Sequence, residues 1–130
     1  MRFWLNALAL TLAGVATAQE PDIEAGSALF QQHCAACHGA RATGDGPMTG
    51  ILSIAPPDLT ALTENGVFPL ADVVRRIDGL DMLLAHGGPM PLFGEILEGR
   101  DAVIEDADRV PVFTSNAVLE IARYLSSLQR

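Results

Sequence analysis

Lysine is absent from the 130 residues, and the eight cations, all arginines, face sixteen carboxylates for a formal charge of −8. Nucleic-acid binding rests on clustered cations at phosphates, so a chain this acidic is excluded from that class. Cysteine is scarce too. Two residues in one short cluster are too few for a disulfide-stapled scaffold and have to act as a local device. Aromatics make up 5% of the chain. No uninterrupted apolar run reaches the roughly 18 residues of a membrane-spanning helix. At this length there is room for one core and no second domain of substance.

The first feature present is an export signal. Arg2 precedes the apolar stretch Phe3 to Val15, which closes on Ala16-Thr17-Ala18 ahead of Gln19 and Glu20. That order is the pattern of a secretory signal, with cleavage expected after Ala18. The apolar run is too short for a spanning helix and holds Asn6 and Thr11, which tells against an uncleaved anchor, and no cysteine at the junction would carry a lipid. Residues 1–18 are therefore expected to be a cleaved signal peptide, and residues 19–130 one soluble domain in the periplasm. Removing 18 of 130 residues leaves 112, with seven arginines and a charge of −9. The only tryptophan, Trp4, leaves as well. The five remaining aromatics, Phe30, Phe68, Phe93, Phe113 and Tyr124, make a thin core that a large apolar cofactor would help to fill.

Two helices are well signalled near the ends of this domain. The first starts at Asp22 as N-cap and places Ile23, Gly26 and Phe30 on one face, leading directly into Cys34. The last runs from Ser115 or Asn116 to Leu128 with Val118, Ile121, Ala122, Leu125 and Leu128 as its apolar stripe. Gly26 is costly inside a helix unless something packs closely on it, and the last helix is the expected neighbour. Pro69 precedes a third helical pattern, Leu70 to Ile77, which Gly79 ends. The remainder is broken by Gly44-Asp45-Gly46-Pro47, Pro56-Pro57 and Gly87-Gly88-Pro89, and no run shows the sustained alternation of a buried sheet. The acidic cluster Glu105, Asp106 and Asp108 reads most simply as a solvated face.

The chemistry lies in Cys34-Ala35-Ala36-Cys37-His38. Two cysteines three apart share one side of a helical turn, so both thiols can reach the two vinyl groups of a haem and form thioethers. The adjacent His38 then rises to the iron, which is why C-x-x-C-H reads as c-type haem attachment. Three other readings are weaker. A thioredoxin-type dithiol would follow a strand at a helix start, whereas this pair follows a helix. A zinc site would need two more ligands, and only His33, His38 and His86 are available. A disulfide between residues three apart closes a tiny loop and gains little.

With these elements in order, the chain resembles the small class I cytochromes c, the monohaem electron carriers. The resemblance rests on Gly26 and Phe30 ahead of C-A-A-C-H-G, the loop G-D-G-P, Pro56-Pro57-Asp58-Leu59, Met90-Pro91 with Phe93-Gly94, and the closing A-R-Y-L-S-S-L. It implies an all-α cytochrome c fold: three to five helices wrapped around one covalently bound haem c, with the first and last helices crossing at Gly26, Phe30 and Tyr124. It also implies that a backbone carbonyl at Pro57 or Pro56 accepts from the second imidazole nitrogen of His38. Met90, flanked by Pro89 and Pro91, is the expected sixth ligand. His86 is its main rival. Met82 and Met48 have ordinary packing or loop readings, and His33 reads as a surface residue.

His/Met ligation raises the reduction potential relative to two histidines and leaves no open site, which describes a carrier rather than a catalyst. The expected function is transfer of single electrons between redox proteins by a soluble monomer, which is free to dock on membrane redox complexes. The alternatives are a cytochrome subunit of a dehydrogenase or oxidase complex, a haem gas-binding or sensing protein, and a peroxidase, the dihaem form of which would need a second C-x-x-C-H. Two features depart from the family. The stretch Glu95 to Thr114 is long and acidic, compatible with a short helix, a partner-binding loop or a functionless insertion. Without lysine the chain cannot use a lysine ring, so a partner with a basic docking surface, or apolar contact at the haem edge, is expected.

Overall fold

The computed structural model describes residues 22–80 and 90–130. Residues 1–18, expected to be a signal peptide, and Met82, His86 and Pro89 lie outside the described residues. Four α-helices are present among them: α1 (Ile23–His33), α2 (Ala35–His38), α3 (Leu70–Asp78) and α4 (Asn116–Ser127). Two 3-10 turns occur at Pro47–Ile51 and Phe93–Glu95, and two strands, β1 (Ala102–Glu105) and β2 (Pro111–Thr114), precede α4. None of these helices is long and apolar enough to cross a membrane.

Local chemistry accounts for the helix ends. The Asp22 carboxylate accepts from the Glu24 and Ala25 N–H groups, and Ser115 Oγ from Val118 N–H, each satisfying donors that a first turn leaves free. Gly79 closes α3 in the left-handed region at φ 87°. The apolar stripes of α1 and α4 meet, with the Phe30 and Tyr124 rings 5.5 Å apart and tilted by 52°. Gly26 is the point of closest approach: a Cβ there would fall onto the Glu120 carbonyl of α4 and within 3.1 Å of Tyr124 Cβ. Phe30, Val118, Ile121 and Ala122 are fully buried around this contact, and Val74 and Ile77 of α3 close the core. Of the five aromatics only Phe30 and Phe93 are buried, while Phe113 is 55% exposed.

The all-α expectation needs one correction. Glu95–Thr114 contains a two-stranded antiparallel hairpin, pairing Ala102 with Thr114, Val103 with Phe113, Ile104 with Val112 and Glu105 with Pro111. Each strand has only four residues, one inward position is Thr114, and the outward pair Val103 and Phe113 is apolar. The alternation that marks a half-buried strand is therefore blurred in the sequence. Of the acids expected to be solvated, Glu105 and Asp108 are exposed, whereas Asp106 holds this hairpin. Asp106 Oδ1 accepts from Asp108 N–H (3.0 Å) and Val110 N–H (2.8 Å), closing the turn, and Oδ2 pairs with Arg75 of α3. Buried Asp78 of α3 accepts from Thr114 Oγ1 at 2.6 Å, and Asp101 accepts from both the backbone and side chain of Asn116 at the start of α4.

These pairings set an acid dependence. The Arg75 side chain, then the Val110 N–H, holds the Asp106 carboxyl below its ordinary 3.8. Bonds from Asn116 do the same for Asp101, and bonds from Thr60 for Asp58. A carboxyl depressed on folding contributes stability above its unfolded pKa and loses it as pH falls through the folded value. Thermal stability should therefore decline below about pH 4, near the unfolded carboxylate values. Glu120 opposes this weakly, since burial raises its carboxyl. Asp106→Asn keeps the turn acceptor and removes the charge, so melting followed against pH should show a flatter acid decline. An acid decline identical to that of the parent would rule out the Arg75–Asp106 contribution.

Candidate functional site

α1 delivers the cysteine pair. Cys34 caps α1, its N–H bonding to the Phe30 carbonyl at 2.8 Å, and it begins α2 at once, with the Cys37 and His38 N–H groups both returning to its carbonyl. Cys34, Cys37 and His38 thus share one helical turn. Both cysteines are free thiols, Cys34 buried and Cys37 half-buried. Burial, then repulsion from Cys37, pushes the Cys34 thiol up to about 11. Redox-active dithiols carry depressed thiol pKa values, so Cys34 has the opposite electrostatics to the reactive thiol of a thioredoxin-type motif.

His38 is 8% exposed. Its Nδ1 lies 3.4 Å from the Pro57 carbonyl oxygen. A carbonyl only accepts, so the proton sits on Nδ1 and Nε2 is left as the free donor atom. Burial lowers the imidazole pKa, with the Pro57 bond opposing, and the ring is neutral at pH 7.

The loop between His38 and Pro57 holds both in place. Gly44 N–H donates to the His38 carbonyl at 2.8 Å, and Gly46 N–H to the Cys37 carbonyl at 3.2 Å. Gly46 packs so tightly under α2 that a Cβ would strike the Ala36 and Cys37 carbonyls, which explains a glycine there. Thr49 Oγ1 also reaches the Cys37 carbonyl, at 3.5 Å. Ala42, fully buried, adopts the left-handed region at φ 60°. Its carbonyl accepts from Leu59 N–H at 2.7 Å, which docks the Pro56–Pro57–Asp58–Leu59 segment against the turn.

Met90 is half-buried against the core. The segment after it is anchored beside the cysteines: the Phe93 ring meets His33 edge-on with centroids 6.2 Å apart. Leu92 packs on Gly79, and Gly94 on Asp78. His33 therefore ties the start of the C-x-x-C-H turn to the Met90 segment, a role that no local pattern signalled. Met48 lies on the 3-10 turn and is exposed.

These groups fit a covalently held haem. Two free thiols on one turn suit thioether attachment, and a neutral, buried imidazole with Nδ1 occupied suits axial ligation through Nε2. Among the described residues no three His, Cys, Asp or Glu side chains cluster as ligands of a metal ion.

Residues 23–76 match the protein-family model for Cytochrome c. The match spans the attachment turn and the Pro57 segment and ends before Met90 and the hairpin. No curated protein matches the chain. Among solved structures, a chain of the Kuenenia stuttgartiensis reducing HAO-like protein complex is similar at 25% identity and a TM-score of 0.58, over 91% of this chain. The likeness covers 50% of that chain, so this chain spans about half of its length.

Proposed function

We propose, on the premise that this chain is a c-type cytochrome, its residues 23–76 matching the Cytochrome c family model, that it is a periplasmic, monomeric, monohaem carrier of single electrons between redox proteins. One observation carries the reading: two free thiols and a neutral, buried imidazole share one turn, with Nδ1 of the imidazole committed to Pro57. In this reading Cys34 and Cys37 would tether the haem, while His38 and Met90 would ligate its iron. When bound, the haem supplies one-electron redox chemistry at its iron. The chain's own residues bury His38, keep its imidazole neutral with the proton on Nδ1, and orient it through the Pro57 carbonyl. Periplasmic location is supported by the export pattern of residues 1–18.

Electron exchange needs a docking face, and the one we assign adjoins the attachment turn. Met48, Ile51 and Ile54 are exposed on the 3-10 turn and the loop after it, which Gly46 and Thr49 bind to Cys37. Asp45, Asp58 and Asp72 near this face are paired with Arg41, Arg130 and Arg75, so the apolar residues are its main feature. Together with the formal charge of −8 of the whole chain, they favour a redox partner with an apolar centre and a basic rim.

The test is Met90→Leu, examined by absorption spectra in both oxidation states. Loss of the methionine-to-iron charge-transfer band and rapid carbon monoxide uptake by the reduced variant are expected, with the parent resisting carbon monoxide. An unchanged spectrum would sink the assignment and move it to His86 or Met82. Carbon monoxide uptake by the parent itself would favour a gas-binding protein.

A second reading, a fixed cytochrome subunit of a redox complex, is favoured by the likeness to a chain of the reducing HAO-like complex. The native mass in periplasmic extract separates the two: a free monomer counts against the subunit, and co-migration with a larger redox protein counts for it.

A further inference from the structure

We propose that Gln129 and Arg130 are positioning residues of the haem site: by clamping residues 58–63 to the end of α4 they hold the Pro57 carbonyl against His38 Nδ1–H, and so set the reduction potential. The proposal rests on the haem reading above.

The clamp is dense. Gln129 uses its whole side-chain amide: Nε2 donates to the Leu59 and Leu125 carbonyls, each at 2.8 Å, and Oε1 accepts from the Leu62 (2.8 Å) and Thr63 (3.1 Å) N–H groups. The Leu125 carbonyl already accepts from the Leu128 N–H at 3.1 Å, and the Gln129 amide adds a second bond there, so a single side chain ties the helix end to the loop. Arg130 extends the grip. Its backbone N–H donates to the Thr60 carbonyl at 3.2 Å, Nε to Thr60 Oγ1 at 2.7 Å and a terminal guanidinium nitrogen to Asp58 Oδ2 at 2.7 Å. Asp58 Oδ1 accepts in turn from the Thr60 N–H (2.9 Å) and Oγ1 (2.6 Å).

The link to His38 is one peptide plane. The Pro57 carbonyl and the Asp58 nitrogen belong to the same rigid unit, so fixing Asp58 aims that carbonyl. On its other side the Pro56–Pro57 segment abuts Gly44. At 3.4 Å the Nδ1 to Pro57 contact is at the long end of hydrogen-bond range, where strength falls quickly with displacement. A carbonyl that accepts from the imidazole makes the ring a stronger donor through Nε2, which favours ferric iron. Loosening the clamp should therefore raise the potential.

The test compares the haem-loaded protein with Gln129→Met and Arg130→Met, and with Arg75→Met as a control that loosens α3 from the hairpin elsewhere. Potentials come from redox titration, and exchange of the His38 Nδ1–H from nuclear magnetic resonance. The expected result for Gln129→Met is a shift of about threefold toward the reduced form at fixed potential, about 28 mV at 59 mV per decade, and exchange faster by about tenfold, one decade in the opening equilibrium. Arg130→Met should shift both in the same direction by less, and serves as the primary variant if Gln129→Met does not mature. Arg75→Met should lower the melting temperature and move neither. Clamp variants that lose thermal stability yet keep the parent potential and exchange rate would overturn the proposal and leave Gln129 and Arg130 as structural residues. A parent protein without covalent haem would instead overturn the functional reading on which it rests.

Discussion

Replacing Cys34 and Cys37 together by serine should yield a chain with no covalently attached haem. A serine hydroxyl does not form the thioether that a cysteine thiol makes with a vinyl group, and both thiols are free and on one turn. Intact mass after acid extraction of non-covalent haem reads the result: the parent should retain the added mass of one haem and the double variant only that of its polypeptide. The loss extends to stability. With two of five aromatics buried, the domain has a thin core, and a cofactor bound only by the folded state contributes its binding free energy to folding. The double variant should lose its cooperative thermal transition or melt far below the parent. A parent whose haem extracts completely would overturn the attachment.

Gly26→Ala should be strongly destabilising, although helix propensity predicts the opposite. Ala is favoured over Gly in a helix interior by about 0.5–1 kcal/mol. The added Cβ would meet the Glu120 carbonyl, a backbone atom that moves only if α4 moves. Overpacking costs typically about 1–3 kcal/mol and more where backbone must shift, so a net loss of about 2–4 kcal/mol is expected, with Gly26→Val worse. Gly50 is the contrast: nothing lies within 4 Å of its Cβ position, and Gly50→Ala should be nearly neutral. Denaturant midpoints at constant slope measure both. Equal midpoints for Gly26→Ala and the parent would mean that α1 and α4 separate freely, contrary to the tight contact at Phe30 and Tyr124.

How much of this was legible beforehand depends on sequence distance. Asp22 and Ser115 announce their helices because a cap acts on N–H groups two or three residues away. Gly79 ends α3 through its own φ. The neighbour that Gly26 demanded was deducible, since an unfavourable glycine on an apolar face needs a close partner and the terminal helix carries a long apolar stripe. Hidden from the sequence were the hairpin, where four-residue strands with apolar residues on both faces lose their period, and the work of its acids. Asp106 looks like one more solvated charge until Arg75 of α3 is placed beside it.

The same division runs through the site. Cys34, Cys37 and His38 were readable from their order because the chemistry of a single helical turn is complete within five residues. Their support was not. Gln129 and Leu59 are seventy positions apart, and His33 meets Phe93 across sixty. Hydrogen bonding and ring packing at such separations leave no periodicity in the sequence, because loop closure brings the partners together only after the whole core has formed. The sequence alone therefore determined the C-x-x-C-H motif, the helix ends and the acidic, lysine-free character. Only the tertiary structure decided what holds the Pro57 carbonyl at His38 and what anchors the segment carrying Met90, since both depend on contacts that exist only once α1, α3 and α4 have packed.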